Sequence, residues 1–355
     1  MGPKGSKQAK KKHNAKKLKN KQIEEELKIE KEEVRNQVNI LVLGTGESGK
    51  STFIKQLLIL HKGGFNQTDR ETYFSTIRKN VVIHTVQMVS ACKSFGWELE
   101  EKNHELAREF MNIKTSEIKE LKTKTVTKVR QLWSDPALKK AYKNRHKFHL
   151  PDSSNFYLDD LDRIGDPEYS PTDEDILLCR IPTTGINKIS FNFGETPWTV
   201  VDIGGQRSER RKWLHQFDNV TLLIYVVAIN EFNQKLFEDE EVNRLLESLV
   251  LFEKTSNDKY FKEKNCVIFF NKIDLFESKI NSEDLSQCFP DYEGGNDPDE
   301  AKKFIKLKFL EAGENESRNI FCHYTCATDT KNIENVFDAV NISIIENTLK
   351  DGGYM

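Results

Sequence analysis

Between a short apolar run, Val38 to Leu43, and a helical pattern from Thr52 to Leu60 stands Gly44-Thr-Gly-Glu-Ser-Gly49-Lys50-Ser51, which fits G-x-x-x-x-G-K-[ST]. Elsewhere a loop of Gly and Ser would be an ordinary turn. Between a strand and a helix it has another use: the glycines let backbone N–H groups face inward around a polyphosphate, with the positive end of the following helix aimed at it. Lys50 is then placed to bridge the β- and γ-phosphates, and the Ser51 hydroxyl to ligate magnesium.

The later chain alternates strand and helix signals: Ile189 to Phe193, Trp198 to Ile203, Leu222 to Ile229, a helix through Asn243 to Phe252, Cys266 to Phe270, Ile320 to Thr325, and a closing helix from about Asn332 to Leu349. Near-continuous apolar strands alternating with helices predict a mostly parallel sheet covered on both faces. One stretch breaks the alternation. From Gly63 to about Thr172, segments such as Glu71 to Phe95 and Glu98 to Trp133 lack Gly and Pro and repeat apolar residues at helical spacing. The expected fold is therefore α/β, a phosphate-loop domain with a mostly parallel sheet over residues 37–62 and 177–355 with an all-helical domain, 63–176, inserted into it. A length of 355 residues accommodates two such domains.

Composition narrows the class. Charged residues reach 31%, and the longest apolar run, Leu222 to Ile229, is too short to span a membrane. No signal-peptide pattern is seen. Six cysteines without a C-x-x-C pair signal neither a zinc site nor a disulfide framework, and read as reduced thiols of a cytoplasmic protein. A formal net charge of −2 argues against a nucleic-acid binder.

Asn271-Lys272-Ile273-Asp274 follows the strand at Cys266 to Phe270, at the carboxyl edge where ligands of such sheets bind. A carboxylate there accepts two hydrogen bonds, from the ring N–H and the exocyclic amine of guanine. Adenine has neither donor, and a site built for them rejects it. Alone, Asn-Lys-x-Asp is usually a turn; after a phosphate loop and a strand it selects GTP over ATP. Thr325-Cys326-Ala327, at another strand end, offers a backbone contact to the guanine oxygen or is simply a strand terminus. Asp202-Ile203-Gly204-Gly205-Gln206 closes the strand from Trp198. Asp202 is placed to hold magnesium through water, the Gly205 N–H to reach a γ-phosphate, and Gln206 to orient the attacking water.

Arg180-Ile-Pro-Thr183-Thr184-Gly185 completes a set that resembles the heterotrimeric G-protein alpha subunits, the inhibitory-type branch most, from about residue 24 to 350. The other marks are Gly44 to Ser51, Asp160 to Ile164, Asp202 to Trp213, Asn271 to Leu275, and Thr325-Cys-Ala-Thr-Asp-Thr-Lys331. Small Ras-type GTPases share the nucleotide motifs but lack the insertion that here separates Lys50 from Thr183. The resemblance implies a GTP-hydrolysing switch, active with GTP and inactive with GDP, that couples a receptor or exchange factor to effectors. Arg180 is implied as the arginine supplied in cis to the transition state, with Gln206 as its catalytic partner. Thr183 joins Ser51 and Asp202 around Mg2+. Nucleotide contacts are further implied for Glu47, Ser48, Gly49, Lys50, Thr52, Asp152, Ser153, Leu177, Gly205, Lys272, Asp274, Cys326, Ala327 and Thr328, and Glu47 pairs with Arg180.

By the same resemblance Arg207 to Trp213 reads the nucleotide state. Lys212 and an exposed Trp213, with the N-terminal helix, form the surface for a beta-gamma dimer; the C-terminal helix meets the receptor or exchange factor. GTPase-activating regulators and an unidentified effector complete the partners. Two other classes stay open: a nucleotide-dependent scaffold that hydrolyses little, opposed by Arg180, Thr183 and Gln206 together, and a P-loop ATPase or kinase, opposed by Asp274.

Residues 1–36 read as a basic arm running into a charged helix with the thin apolar stripe Ile23, Leu27 and Val34, either a docking helix or a solvated one. Pro3 after Gly2 obstructs myristoylation, and no cysteine precedes Cys92 to take palmitate. The lysines from Lys4 to Lys21 attract anionic lipid at on the order of 1 kcal/mol each near the surface. That suits a cytoplasmic protein peripheral on the inner face of the plasma membrane; a nuclear signal or a disordered arm are the other readings. Gly352 stands where one branch has a cysteine, and Leu178 where many relatives carry a basic residue, so nucleotide release is expected to differ in rate.

Overall fold

The computed structural model describes residues 37–114, 123–313 and 319–351. The basic arm, the N-terminal helix and the residues after Asp351 lie outside the described residues. Among the described residues the strands are β1 (Val38–Leu43), β2 (Ile186–Phe193), β3 (Thr196–Ile203), β4 (Leu222–Ala228), β5 (Asn265–Asn271) and β6 (Ile320–Thr325). Helix α1 (Lys50–Lys62) follows β1. Then come α2 (Gln67–Ser94), α3 (His104–Met111), α4 (Thr123–Trp133), α5 (Pro136–Lys143), α6 (Ser154–Asp159), α7 (Leu161–Gly165) and α8 (Asp173–Leu178). The later helices are α9 (Arg244–Ser256), α10 (Ile273–Ile280), α11 (Pro298–Ala312) and α12 (Thr330–Asp351).

The strands form one sheet in the order β2-β3-β1-β4-β5-β6, parallel throughout except for the β2–β3 hairpin. Register decides which face each residue takes. Ile40 lies between Val200 and Leu222, and Leu41 between Val201 and Leu223. Since successive side chains point to opposite faces, Leu41, Leu223, Tyr225, Ile268 and Phe270 meet α9, α10 and α11 through Phe252, Phe276 and Phe309. Ile40, Val42, Ile224 and Phe269 meet α1 and α12 through Phe53, Leu57 and Phe337. A strand covered on both faces has no polar side, which is why β4 reads as an unbroken apolar run. The hairpin strand expected at Ile189 begins earlier, at Ile186; its exposed Asn187 and Lys188 at the sheet edge conceal the start. Because β3 and β4 leave β1 on opposite sides, the crevice at the carboxyl end of β1 is the natural ligand position.

A third cluster belongs to the helical stretch. Ile77, Val81, Met88 and Val89 of α2 pack on Phe110, Val129, Leu132, Leu138, Tyr157 and Ile164. Helix α2 begins with a capping box, in which Asn66 and Asp69 each accept the other's backbone N–H. The segment from Glu98 to Trp133, expected to be helical throughout, is broken: a 3-10 turn at Glu101–Asn103 precedes α3. Asn103 there is buried and donates to Asp135 at 2.7 Å while accepting from Gln131 at 2.8 Å. Its polar side chain anchors a turn that apolar periodicity does not reveal.

Asp175, wholly buried in α8, accepts two hydrogen bonds from Arg163, at 2.7 and 2.9 Å, and one from the Thr172 N–H at 2.9 Å. Burial alone would raise this carboxyl, but Arg163 and Thr172 outweigh it and hold it below the ordinary range. A folded-state pKa that is depressed gives stabilisation fully present above the unfolded pKa and lost as pH falls through the folded one. Arg163→Ala is expected to lower stability by about 2–3 kcal/mol at neutral pH, less than for a fully enclosed pair because the guanidinium is partly exposed. In urea titrations the gap from the unaltered protein should narrow as pH drops below the carboxylate range; a pH-independent gap would contradict this assignment.

Candidate nucleotide site

The phosphate loop, Gly44 to Gly49, links β1 to α1, and two of its glycines are required by space. A Cβ on Gly49, at φ 104°, would stand 2.1 Å from Asn271 Nδ2; one on Gly44, at φ 145°, would stand 2.3 Å from the Val226 carbonyl. Beneath the loop the buried Lys50 donates to the Thr45 carbonyl at 2.7 Å and the Gly44 carbonyl at 3.1 Å. Burial pushes its ammonium down to about 8 against the pull of Asp202.

Three oxygens converge at the start of α1. Ser51 Oγ donates to Asp202 Oδ2 at 2.7 Å and lies 2.6 Å from Thr183 Oγ1. Asp202 Oδ1 is buried and has no hydrogen-bond partner. Burial raises this carboxyl more than Lys50 and Ser51 lower it. An orphaned carboxylate oxygen beside two hydroxyls is costly unless a cation completes it, and hard oxygen donors of this kind fit Mg2+. The group suits the metal predicted from sequence.

Next to it, Gly205 lies against the phosphate loop so closely that a Cβ would be 2.4 Å from both the Gly44 carbonyl and Lys50 Nζ. Gln206 follows, its Cγ 3.3 Å from the place a Cβ on Gly46 would take. Arg180 donates through Nη2 to Glu47 Oε1 at 2.6 Å, and Arg244 approaches Glu47 Oε2 at 3.2 Å. Burial works against the Glu47 anion, but Arg244, Arg180 and Lys272 together hold its carboxyl low.

On the opposite side, Asn271 joins three loops: Nδ2 donates to the Ser48 carbonyl at 2.8 Å, and Oδ1 accepts from the Ala327 N–H at 2.9 Å and from Thr325 Oγ1 at 3.2 Å. Lys272 takes a left-handed backbone, φ 62°, which places Asp274 in the first turn of α10, exposed at the mouth. Cys326 Sγ lies 3.1 Å from Thr328 Oγ1, its thiol raised by burial.

These groups surround a cleft of about 400 Å³. It is lined by Glu47, Gly49, Lys50, Ser51, Thr52, Thr183, Arg180, Gly205 and Gln206, by Asn271, Lys272, Asp274, Cys326, Ala327 and Thr328, and, from the helical side, by Asp152, Ser153 and Leu177. Ser48 and Asp202 stand behind the wall, reached through Asn271 and Ser51. Sequence reasoning missed a band of charge across the cleft. Arg145 binds Asp152 at 2.9 Å, Lys272 bridges Asp152 at 3.5 Å and Glu231 at 3.0 Å, and Arg244 stands 3.3 Å from Glu231. Arg145, Glu231 and Arg244 sit in no local motif and meet only through the tertiary fold.

One expectation is corrected. Trp213, expected on an exposed docking surface, is only 4% exposed; its ring packs in the core below the sheet and Nε1 donates to the Gly204 carbonyl at 3.0 Å. An indole has one donor, and satisfying it on the glycine pair turns the ring inward. Leu214 is exposed beside it, and Lys212 pairs with Glu209 at 2.5 Å.

The sequence matches the model of the G-protein alpha subunit family over residues 17–344. It is 39% identical over 336 residues to the G-protein complex alpha subunit gpaA of Aspergillus fumigatus, covering 94% of this chain and 95% of that protein. Identity is 38% to the guanine nucleotide-binding protein subunit alpha of Cryphonectria parasitica and 39% to the guanine nucleotide-binding protein G(o) subunit alpha of Locusta migratoria, with the same coverage. A match that runs nearly end to end on both sides shows that the chain belongs to the family of G-protein alpha subunits.

Proposed function

We propose that the chain binds GTP and GDP in this cleft and hydrolyses GTP, as the signal-transducing alpha subunit of a heterotrimeric G protein. In this reading residues 37–62 and 177–355 form the GTPase domain and 63–176 the helical domain that covers the nucleotide. The observation that carries it is the convergence of Lys50, Gly205, Arg180 and the Ser51–Thr183–Asp202 oxygens on one wall, with Asp274 at the far end of the same cleft. Backbone N–H groups of the phosphate loop and Lys50 bind the β- and γ-phosphates. Ser51, Thr183 and Asp202 would hold Mg2+, which supplies charge neutralisation at the phosphates.

Gln206 orients a water in line with the γ-phosphorus. The water's oxygen forms the new P–O bond as the bond from the γ-phosphorus to the β–γ bridging oxygen breaks, and a water proton passes to the γ-phosphate oxygens, giving GDP and inorganic phosphate. Arg180, whose fork Glu47 grips by one N–H, neutralises charge spreading onto the γ-oxygens and the leaving group. Loss of the γ-phosphate releases Thr183 and Gly205, and with them the segment from Arg207.

Partners follow from the same reading: a beta-gamma dimer at the N-terminal segment and Lys212, a receptor or exchange factor at the C-terminal helix, GTPase-activating regulators, and an effector. No helix among the described residues is long and apolar enough to cross a membrane; the lysine arm would bring the protein to an anionic lipid surface. The test is nucleotide selectivity. Asp274→Ala should weaken GDP binding by roughly tenfold to a hundredfold while leaving weak ATP binding unchanged. Equal affinity of the unaltered protein for ATP and GTP would sink the reading.

A further inference from the structure

We propose that Lys55 is a positioning residue for Arg180: with Asn80 it clamps the main chain on either side of the Arg180 Cα, so that the guanidinium reaches the cleft from a fixed stem. This rests on the reading of Arg180 given above. Lys55 lies on α1 and is buried. Its Nζ donates to the Cys179 carbonyl at 2.7 Å and the Ile176 carbonyl at 2.9 Å, and sits 5.1 Å from the centroid of the Tyr73 ring. Among the described residues no ion pair reaches it within 4.0 Å.

A buried ammonium with carbonyls and a ring but no carboxylate in contact is costly, and burial pushes this one down to about 8. A methionine would fill the same space without that cost, so packing does not account for the charge. The lysine instead supplies donors at the C-terminal end of α8, where a helix end is negative. One goes to the Ile176 carbonyl, which also accepts the Cys179 N–H at 3.1 Å, and one to the Cys179 carbonyl, which stands immediately before Arg180.

The other jaw comes from the helical stretch. Asn80 of α2 donates to the Arg180 carbonyl at 3.1 Å and touches Cys179 Sγ at 3.8 Å. Cys179 is extended, φ −70° and ψ 120°, so the chain leaves the helical path of α8 just before Arg180. The carbonyls of residues 179 and 180 are taken by donors from two different elements, α1 and α2. Glu47 fixes the guanidinium at the tip. Arg180 is thus placed by the stem and by the tip, and its stem depends on α2 being docked beside α1.

The experiment is a double-mutant cycle on the full chain, with single-turnover GTP hydrolysis and GDP release measured for the unaltered protein, Lys55→Met, Arg180→Ala and the double variant. Lys55→Met should slow the chemical step roughly tenfold to a hundredfold, as misplacement of a catalytic group does, and change GDP release by no more than about threefold. In the Arg180→Ala background it should add nothing. Equal slowing with and without Arg180, or no slowing at all, overturns the clamp. If Arg180→Ala alone leaves hydrolysis unchanged, the reading of Arg180 fails and the clamp with it. Should Lys55→Met not fold, Asn80→Ala opens the other jaw in the same cycle: slowing that vanishes without Arg180 supports the clamp, and slowing that persists overturns it.

Discussion

Arg180→Ala should slow single-turnover hydrolysis of GTP by roughly 10³–10⁵, the range that characterises a cis arginine in this class of GTPase rather than a value obtained from the present geometry. That corresponds to about 4–7 kcal/mol of barrier. Binding should change far less. Arg180 spends its resolved side-chain bond on Glu47, and the triphosphate has Lys50 and the loop backbone as its ground-state partners. Truncation leaves Glu47 still facing Arg244, so no carboxylate is stranded. Equal losses in GDP affinity and in the chemical step would make Arg180 a binding residue only.

Gln206→Leu gives the second large effect: GTP binding retained, with turnover reduced by on the order of 10²-fold or more through loss of water positioning. The side chain lines the cleft without a buried partner of its own in the phosphate loop, and its Cγ rests beside Gly46. Leucine keeps that contact and removes only the amide. Rapid mixing with protein in excess over GTP separates the step from product release; an unchanged single-turnover rate would remove Gln206 from the mechanism.

The strings that line the cleft were legible because each is local. A phosphate loop needs its glycines, lysine and serine within eight positions between strand and helix, so Gly44 to Ser51 announces itself. Asn271 to Asp274 and Asp202 to Gln206 follow buried strands whose apolar runs mark the sheet. What stayed hidden is what the fold brings together from afar. Arg244, Glu231 and Arg145 are ordinary charged residues on a helix, a turn and a loop until the two parts of the chain face each other. Trp213 shows the converse: its exposure is implied by the resemblance alone, against the ordinary expectation of a core indole, and the Gly204 carbonyl under it holds the ring inward. Lys55 likewise looks like one more solvated lysine of an amphipathic helix until α8 ends above it.

Asn271 has a bearing on the protein without its ligand. One amide ties the phosphate loop to the turn after β6, so neither can loosen alone. Emptying the pocket should therefore soften Ser48, Thr325 and Ala327 in concert, and amide hydrogen exchange at those sites would rise with a shared rate constant instead of three separate ones.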